Sequence, residues 1–374
     1  HRDLHSFPTR RSSDLLKDSP IYQERGSAHC YHFVDYDNDG DLDLFMPEEE
    51  TFSRLYRNDG QGQFVNVTSS VLQNRLGRAL NGAWADFDND GDLDLYLMGY
   101  ESGPERFLLN NGDGTFADWN GEPKGLLQVG NGLPVWGDYD NDGFLDLLIT
   151  GPGHCRLFRN TTDGNLVEVM VGSPVSDPSN AQSAAWADYD NDGDLDLFVA
   201  CRSSRNYLYQ NNGNANNWLK VRLKGTASNS HGVGAKVFAR TTEGLDARQM
   251  RQITAGSVSQ ELEAHFGLGD ATKVDTLRIE WPSGIVQELN DVAVDQILQV
   301  VESQDLELPE PLSIQTFELD AAGVFHATMN CPVDGVVCVL ESSSDLERWS
   351  KVQLGTSSGR SEERRVGKEC RSRW

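Results

Sequence analysis

Basic residues are scarce in this chain: 32 Lys and Arg stand against 58 Asp and Glu, a formal net charge of −26. Phosphate binding needs clustered Lys and Arg, so nucleic acid is not an expected partner. Long apolar runs are absent too, and nothing approaches the roughly eighteen residues of a membrane-spanning helix. Cysteine is sparse. Cys30, Cys155, Cys201, Cys331 and Cys338 lack zinc spacing, and an odd set of five between the chain ends makes no disulfide framework. Cys331 and Cys338 are placed to close a hairpin in an oxidising compartment or to stay as buried thiols. Neither "FGLG" after His265 nor "WPSG" at Ser283 is a nucleophile elbow, and "GLG" lacks the third glycine of a dinucleotide loop.

The two ends read differently from the rest. His5–Leu15 and Arg360–Cys370 resemble in-frame translations of a sequencing adapter and its reverse complement. Residues 1–15 and 360–374 are therefore set apart as adapter-derived, as a fusion scar would be. A pair of basic tails is the other reading. Residues 16–359 then hold 23 Lys and Arg against 53 Asp and Glu. No Met stands near the start of this region, and the native N-terminus, with any signal peptide, is expected beyond it.

What the chain has in abundance is aspartate, and it comes in a repeated pattern. "DYDNDGDLDLF" begins at Asp35, returns with small changes at Asp86 and Asp138, and returns unchanged at Asp188. Those starts lie 51, 52 and 50 residues apart, a period that signals a propeller or solenoid. Two residues before each start stands an aromatic: Phe33, Trp84, Trp136 or Trp186. These are read as packing between repeats rather than as a ligand platform. Asn-Asp-Gly and Asn-Gly clusters punctuate short strand-like runs as hairpin turns. Some fifty residues with several short strands match one four-stranded propeller blade.

Two carboxylates about 4 Å apart repel by roughly 4 kcal/mol at an effective dielectric near 20, so the clusters call for compensation. Asp occupies positions 1, 3, 5 and 9 of all four loops, and Gly occupies position 6. The candidate side-chain ligands are Asp35, Asp37, Asp39 and Asp43; Asp86, Asp88, Asp90 and Asp94; Asp138, Asp140, Asp142 and Asp146; and Asp188, Asp190, Asp192 and Asp196. Position 7 is Asp41, Asp92, Phe144 and Asp194. It is the acidic position that varies, as expected where only the backbone carbonyl ligates. All-oxygen, carboxylate-rich ligation without His or Cys suits Ca²⁺, up to four ions, better than Mg²⁺. Gly at position 6 permits a sharp turn, and Asn at position 4 tolerates unusual backbone angles. Position 12 is Met46, Leu97, Ile149 or Val199, so these are not EF-hands. Metal-free Asx-rich turns and paired catalytic carboxylates are the competing readings.

These units resemble FG-GAP/VCBS repeats, which implies calcium loops in an integrin-type propeller, usually of seven blades. Only four loops are present, so a partial propeller over residues 16–217 is expected, its other blades lying beyond the N-terminus. "GVGAKV", "HFGLG", "VDTLRIEWPSG" and "QILQVVE" follow in order and resemble the ASPIC/UnbV domain of the cartilage acidic protein family, here residues 218–302. "KVRLKG", "AKVFAR" and "TLRIEW" read as half-buried strands. Trp281 and Phe266 read as core, and His265 as structural. Residues 303–313 look like an acidic, proline-bearing linker. Residues 314–359 look like a truncated β-sandwich module.

The fold class is thus all-β, with the small ASPIC/UnbV domain also all-β. The expected function is a calcium-binding extracellular, cell-surface or periplasmic interaction module with structural ions. Its partner is an unidentified protein or glycan. An enzyme or enzyme-associated module acting on polysaccharide or a secondary metabolite is the alternative. The sequons at Asn66 and Asn160 bear on the protein only in a eukaryotic secretory pathway.

Overall fold

A computed structural model describes residues 19–303 and 314–356, apart from 24–29, 49–51, 61–62, 69–78, 100–105, 120–131, 162–163, 173, 246, 255–261, 320–324, 331–335 and 343–348. The adapter-like ends and the 303–313 linker, but for residue 303, fall outside these residues, as does Cys331. The chain divides into two compact units, residues 1–304 and 305–374. The described residues are all-β but for a single helical turn at Pro20–Gln23.

Four antiparallel four-stranded sheets correspond to the four repeats. The first contains β1 (His32–Val34), β2 (Asp43–Met46), β3 (Arg54–Asn58) and β4 (Phe64–Asn66) in that order. The second repeats the order with β5 (Ala79–Ala85), β6 (Asp94–Gly99), β7 (Arg106–Asn110) and β8 (Phe116–Asp118). The third uses β9 (Pro134–Gly137) and β10 (Asp146–Ile149), followed in space by β12 (Arg156–Asn160) and β13 (Leu166–Val169). Between them in sequence, the two-residue β11 (Pro152–Gly153) crosses to the fourth sheet, beside β14 (Ser179–Ala187), β15 (Asp196–Cys201) and β16 (Tyr207–Tyr209). In every repeat the acidic loop joins the first long strand to the second. The loop's ninth residue is the first residue of that second strand.

Apolar clusters fill the spaces between successive sheets, as a propeller requires. The repeated aromatics lie in them. Trp84 meets Phe45 and Phe116, Trp136 meets Phe87 and Phe107, and Trp186 stacks on Tyr139. Phe33 departs from this pattern: it is 43% exposed, because no described sheet packs on its side of the first repeat.

Residues 217–301 form two further sheets around one core. β17 (Asn217–Lys224) lies between β20 (Glu263–Gly269), antiparallel, and β23 (Gln296–Val301), parallel. The second sheet runs β19 (Ala247–Gln252), β18 (Lys236–Thr241), β21 (Lys273–Glu280), β22 (Val286–Ala293). Leu219, Val221, Val237, Ala239, Phe266, Leu277, Ile279 and Trp281 share the core between them. The alternation read as half-buried strands has a different meaning in β17 and β18. Lys220 is 0% exposed and Lys236 3%, because their face packs against the repeats. In the second unit, β24 (Ile314–Leu319), β25 (Phe325–Asn330), β26 (Val336–Ser342) and β27 (Trp349–Thr356) make one antiparallel meander.

Glu302 closes the first unit. Its carboxylate accepts backbone N–H bonds from Thr226, Ala227 and Ser228, and hydroxyl bonds from Ser228 and Ser283. Burial alone would raise its pKa, but these donors outweigh it and hold the group at about 2. A folded pKa below the unfolded one, near 4.3, stabilises above that value and is lost as pH falls toward 2. Glu302→Gln is expected to cost about 2 kcal/mol near neutral pH, as lost charged hydrogen bonds do. Urea denaturation checks this, and a variant as stable as the parent contradicts it.

Candidate metal sites

Each acidic loop begins and ends on a buried carboxylate. Asp35, Asp86, Asp138 and Asp188 at position 1 are at most 3% exposed, and Asp43, Asp94, Asp146 and Asp196 at position 9 at most 2%. The carboxylates at positions 3 and 5 are half-buried or exposed. The position-9 carboxylate makes the same two bonds in all four copies. One oxygen accepts the position-2 N–H of its own loop (Tyr36, Phe87, Tyr139, Tyr189) at 3.1–3.2 Å. The other accepts the N–H of an Asn in or just after the following strand (Asn58, Asn110, Asn160, Asn211) at 2.7–2.9 Å.

That Asn also stitches repeats together. Asn110 Nδ2 donates to Tyr36 O, Asn160 Nδ2 to Phe87 O and Asn211 Nδ2 to Tyr139 O, each time in the preceding repeat. A second stitch comes from position 4. Asn38 donates to Asp92, Asn89 to Gly143 O, and Asn141 to Gly193 O and Asp194. Asn38, Asn89, Asn141 and Asn191 all have φ between 54° and 62°, the left-handed region where Asn is tolerated. Gly40, Gly91, Gly143 and Gly193 at position 6 have φ of 93–99°, which only glycine adopts cheaply.

Three carboxylates converge in each loop, with oxygens within 4.8 Å of one another: Asp35, Asp37 and Asp39; Asp86, Asp88 and Asp90; Asp138, Asp140 and Asp146; Asp188, Asp190 and Asp196. Positions 1 and 3 are thus common to all, joined by position 5 in the first two loops and position 9 in the last two. Asp43, Asp94, Asp142 and Asp192 lie outside these trios. At position 7, the Asp41, Asp92 and Asp194 carboxylates lie instead against Gly60, Gly112 and Gly213 of the next hairpin.

The donor chemistry fits a hard cation. Asp35 Oδ1, Asp37 Oδ1 and Asp140 Oδ1 are buried and accept no hydrogen bond, which is costly for a carboxylate unless a cation meets it. Burial, reinforced by neighbouring aspartates, pushes Asp43 to about 8, Asp86 to about 7 and Asp94 to about 9. Asp138 and Asp146 shift upward for the same reasons. A divalent cation held there would supply opposing charge to these groups.

The domain built from β17–β23 lies over the loops, and its part in the site was not read from the sequence. Lys236 Nζ donates to Asp35 Oδ2 at 2.7 Å, and Lys220 Nζ to Asp188 Oδ2 at 2.9 Å, both pairs almost fully buried. Met250 N donates to Asp86 Oδ2 at 3.1 Å, and Gly269 N to Asn141 O at 2.8 Å. The buried Arg251 guanidinium acts electrostatically on both Asp86 and Asp138. His265 Nε2 contacts Gly193 O at 3.1 Å, and burial pushes this imidazole down to about 4, so it is neutral. The signal that could have revealed the contact is the acidic repeat itself, which gives an inward-facing Lys a partner.

The raised carboxyl pKa values set a pH dependence. A carboxyl whose folded pKa lies above its unfolded value near 3.9 favours folding while protonated, and that contribution fades as pH rises through the folded pKa. In chelator, the melting temperature is expected to fall between about pH 5 and pH 9, the window set by Asp86, Asp43 and Asp94. Millimolar calcium is expected to suppress that fall. Calorimetry across this range gives the comparison, and a chelated protein that gains stability with pH would refute it.

Comparison with known proteins agrees with this arrangement. The family described as FG-GAP-like repeat matches residues 35–97, 86–149 and 138–199, and the family described as ASPIC and UnbV matches residues 225–307. Cartilage acidic protein 1 of Xenopus tropicalis is 28% identical over 338 residues, covering 81% of this chain and 50% of that one. The Homo sapiens protein of the same name is 28% identical over 332 residues, covering 79% and 49%. The chain therefore spans about half the length of these curated relatives. An Agrocybe aegerita lectin structure aligns at a TM-score of 0.36 and 16% identity over 89% of this chain and 81% of that one, too loosely to carry an argument. With its fold, its loops and these matches in accord, the chain is an FG-GAP-repeat protein bearing an ASPIC and UnbV domain, similar to cartilage acidic protein 1.

Proposed function

We infer that this chain is a calcium-binding extracellular β-propeller module that presents its surface to a protein or glycan, with one structural ion in each loop. The observation that carries this is the set of buried carboxylate oxygens left without a donor at Asp35, Asp37 and Asp140, inside loops of identical plan. Positions 1, 3, 5 and 9 supply the carboxylates, and the carbonyls of Asp41, Asp92, Phe144 and Asp194 supply a neutral oxygen. Loops of this kind in extracellular modules hold calcium at about 10⁻⁴–10⁻³ M, which matches an extracellular or periplasmic setting. The ions hold each hairpin against its own charge and do no chemistry.

The enzyme reading would need an unrepeated polar cluster free to act. Arg251, Glu263 and His265 do line a cavity of about 150 Å³ with Trp84, Trp136 and Trp186. Their side chains are largely held by protein partners, although Glu263 Oε2 and His265 Nδ1 are buried without a hydrogen bond. Arg251 donates to His265 O, Met250 O and Gln249, Glu263 pairs with Lys220 and Arg222, and His265 contacts Gly193 O. The binding-module reading is therefore the better supported.

Calcium at 1 mM acting on a site of about 10⁻⁴ M stabilises the folded state by about 1.4 kcal/mol. Summed over the loops, the melting temperature is expected to be roughly 5–10 °C higher in millimolar calcium than in EGTA. Equal melting temperatures would sink this reading. Asp88→Asn is expected to remove about a quarter of the increment, leaving the other loops loaded.

A further inference from the structure

Resting on the calcium reading above, we propose that the four sites are unequal, and that Arg159 makes the Asp138 loop the weakest and last to fill. Three loops carry five aspartates each, whereas the third has Phe144 in place of the fifth. Among the described contacts, only the third also has a guanidinium ion-paired across two of its carboxylates. Arg159 Nε lies 2.7 Å from Asp140 Oδ2, and its Nη2 lies 2.8 Å from Asp142 Oδ2. The fork shape of the guanidinium suits this bridging.

Among the other repeats, only the first has an arginine at the equivalent strand position, Arg57; the second has Leu109 and the fourth Gln210. Leu109 brings no charge, and Gln210 donates a neutral bond to Asp190 Oδ2 at 2.7 Å. Arg57 acts on Asp37 electrostatically without an ion pair to it among the described contacts. The cations of the ASPIC and UnbV domain do not restore equality. Among the described contacts, Lys236 and Lys220 each meet one loop carboxylate, in loops that keep all five, and Arg251 is shared between the second and third loops. The third loop thus keeps the four carboxylates of positions 1, 3, 5 and 9, two of them bridged by a cation, without the further negative charge that Asp41, Asp92 and Asp194 place beside the other loops.

Calcium affinity in such loops follows the ligand charge count and the rigidity of the site. Arg159 engages the Oδ2 atoms and leaves Asp140 Oδ1 buried and unpartnered beside Asp138 and Asp146. The third site is therefore weakened and remains open to an ion. Its loading follows the calcium concentration when the other three are already full.

Equilibrium dialysis of the whole chain at graded free calcium, read by elemental analysis, tests this. Three ions are expected to load first, and the fourth at about tenfold higher free calcium. Arg159→Gln is expected to bring that fourth midpoint within about threefold of the others. The converse change, Leu109→Arg, is expected to move one of the first three ions into the weak class. Four ions with a single midpoint in the parent chain, or a split that survives Arg159→Gln, overturns the proposal and leaves the calcium reading standing. A β-folded chain that takes up no calcium at any concentration overturns both.

Discussion

The architecture turns on one electrostatic constraint: carboxylates crowded into each loop have to be given partners before the sheets can close. The ninth-position aspartate meets it with backbone amides, one from its own loop and one from the hairpin that follows. Those bonds tie the acidic loop to the neighbouring strand. They also fix where the Asn of that strand points, and from there its amide reaches the preceding repeat. Charge compensation and repeat-to-repeat assembly are thus the same network seen at two scales. The inner carboxylates at position 1 are compensated from a different direction, by Lys236, Lys220 and Arg251 of the adjoining domain.

That division explains what a linear reading delivers. The four loops were legible because their demands are local. A glycine at position 6 and an asparagine at position 4 are needed for backbone angles that few other residues accept, and both recur in every copy. The Trp two residues before the second, third and fourth loops was legible as packing because it recurs at the repeat period, and Trp136 and Trp186 are buried between sheets. The strands "KVRLKG", "AKVFAR" and "TLRIEW" were found where their alternation placed them.

What stayed hidden is non-local. Lys220 and Lys236 alternate with Leu219, Val221 and Val237 just as solvent-facing lysines do in a strand with one wet face. Period-2 alternation reports that the faces differ, and says nothing of what the polar face meets. Nor does it show the parallel pairing of β17 with β23, which joins residues more than seventy positions apart. The grouping of oxygens into trios escaped too. The sequence presents the four carboxylates of each loop as equals, while the fold draws in position 5 in the first two loops and position 9 in the last two.

The direction of the asparagine stitches has a mechanical consequence. The hairpin Asn runs to the preceding repeat and the position-4 Asn to the following one, and among the described contacts none skips a neighbour, so coupling passes along the array as in a chain of dominoes. Opening the seam between two repeats then breaks both of its stitches together and leaves those of the other seams in place.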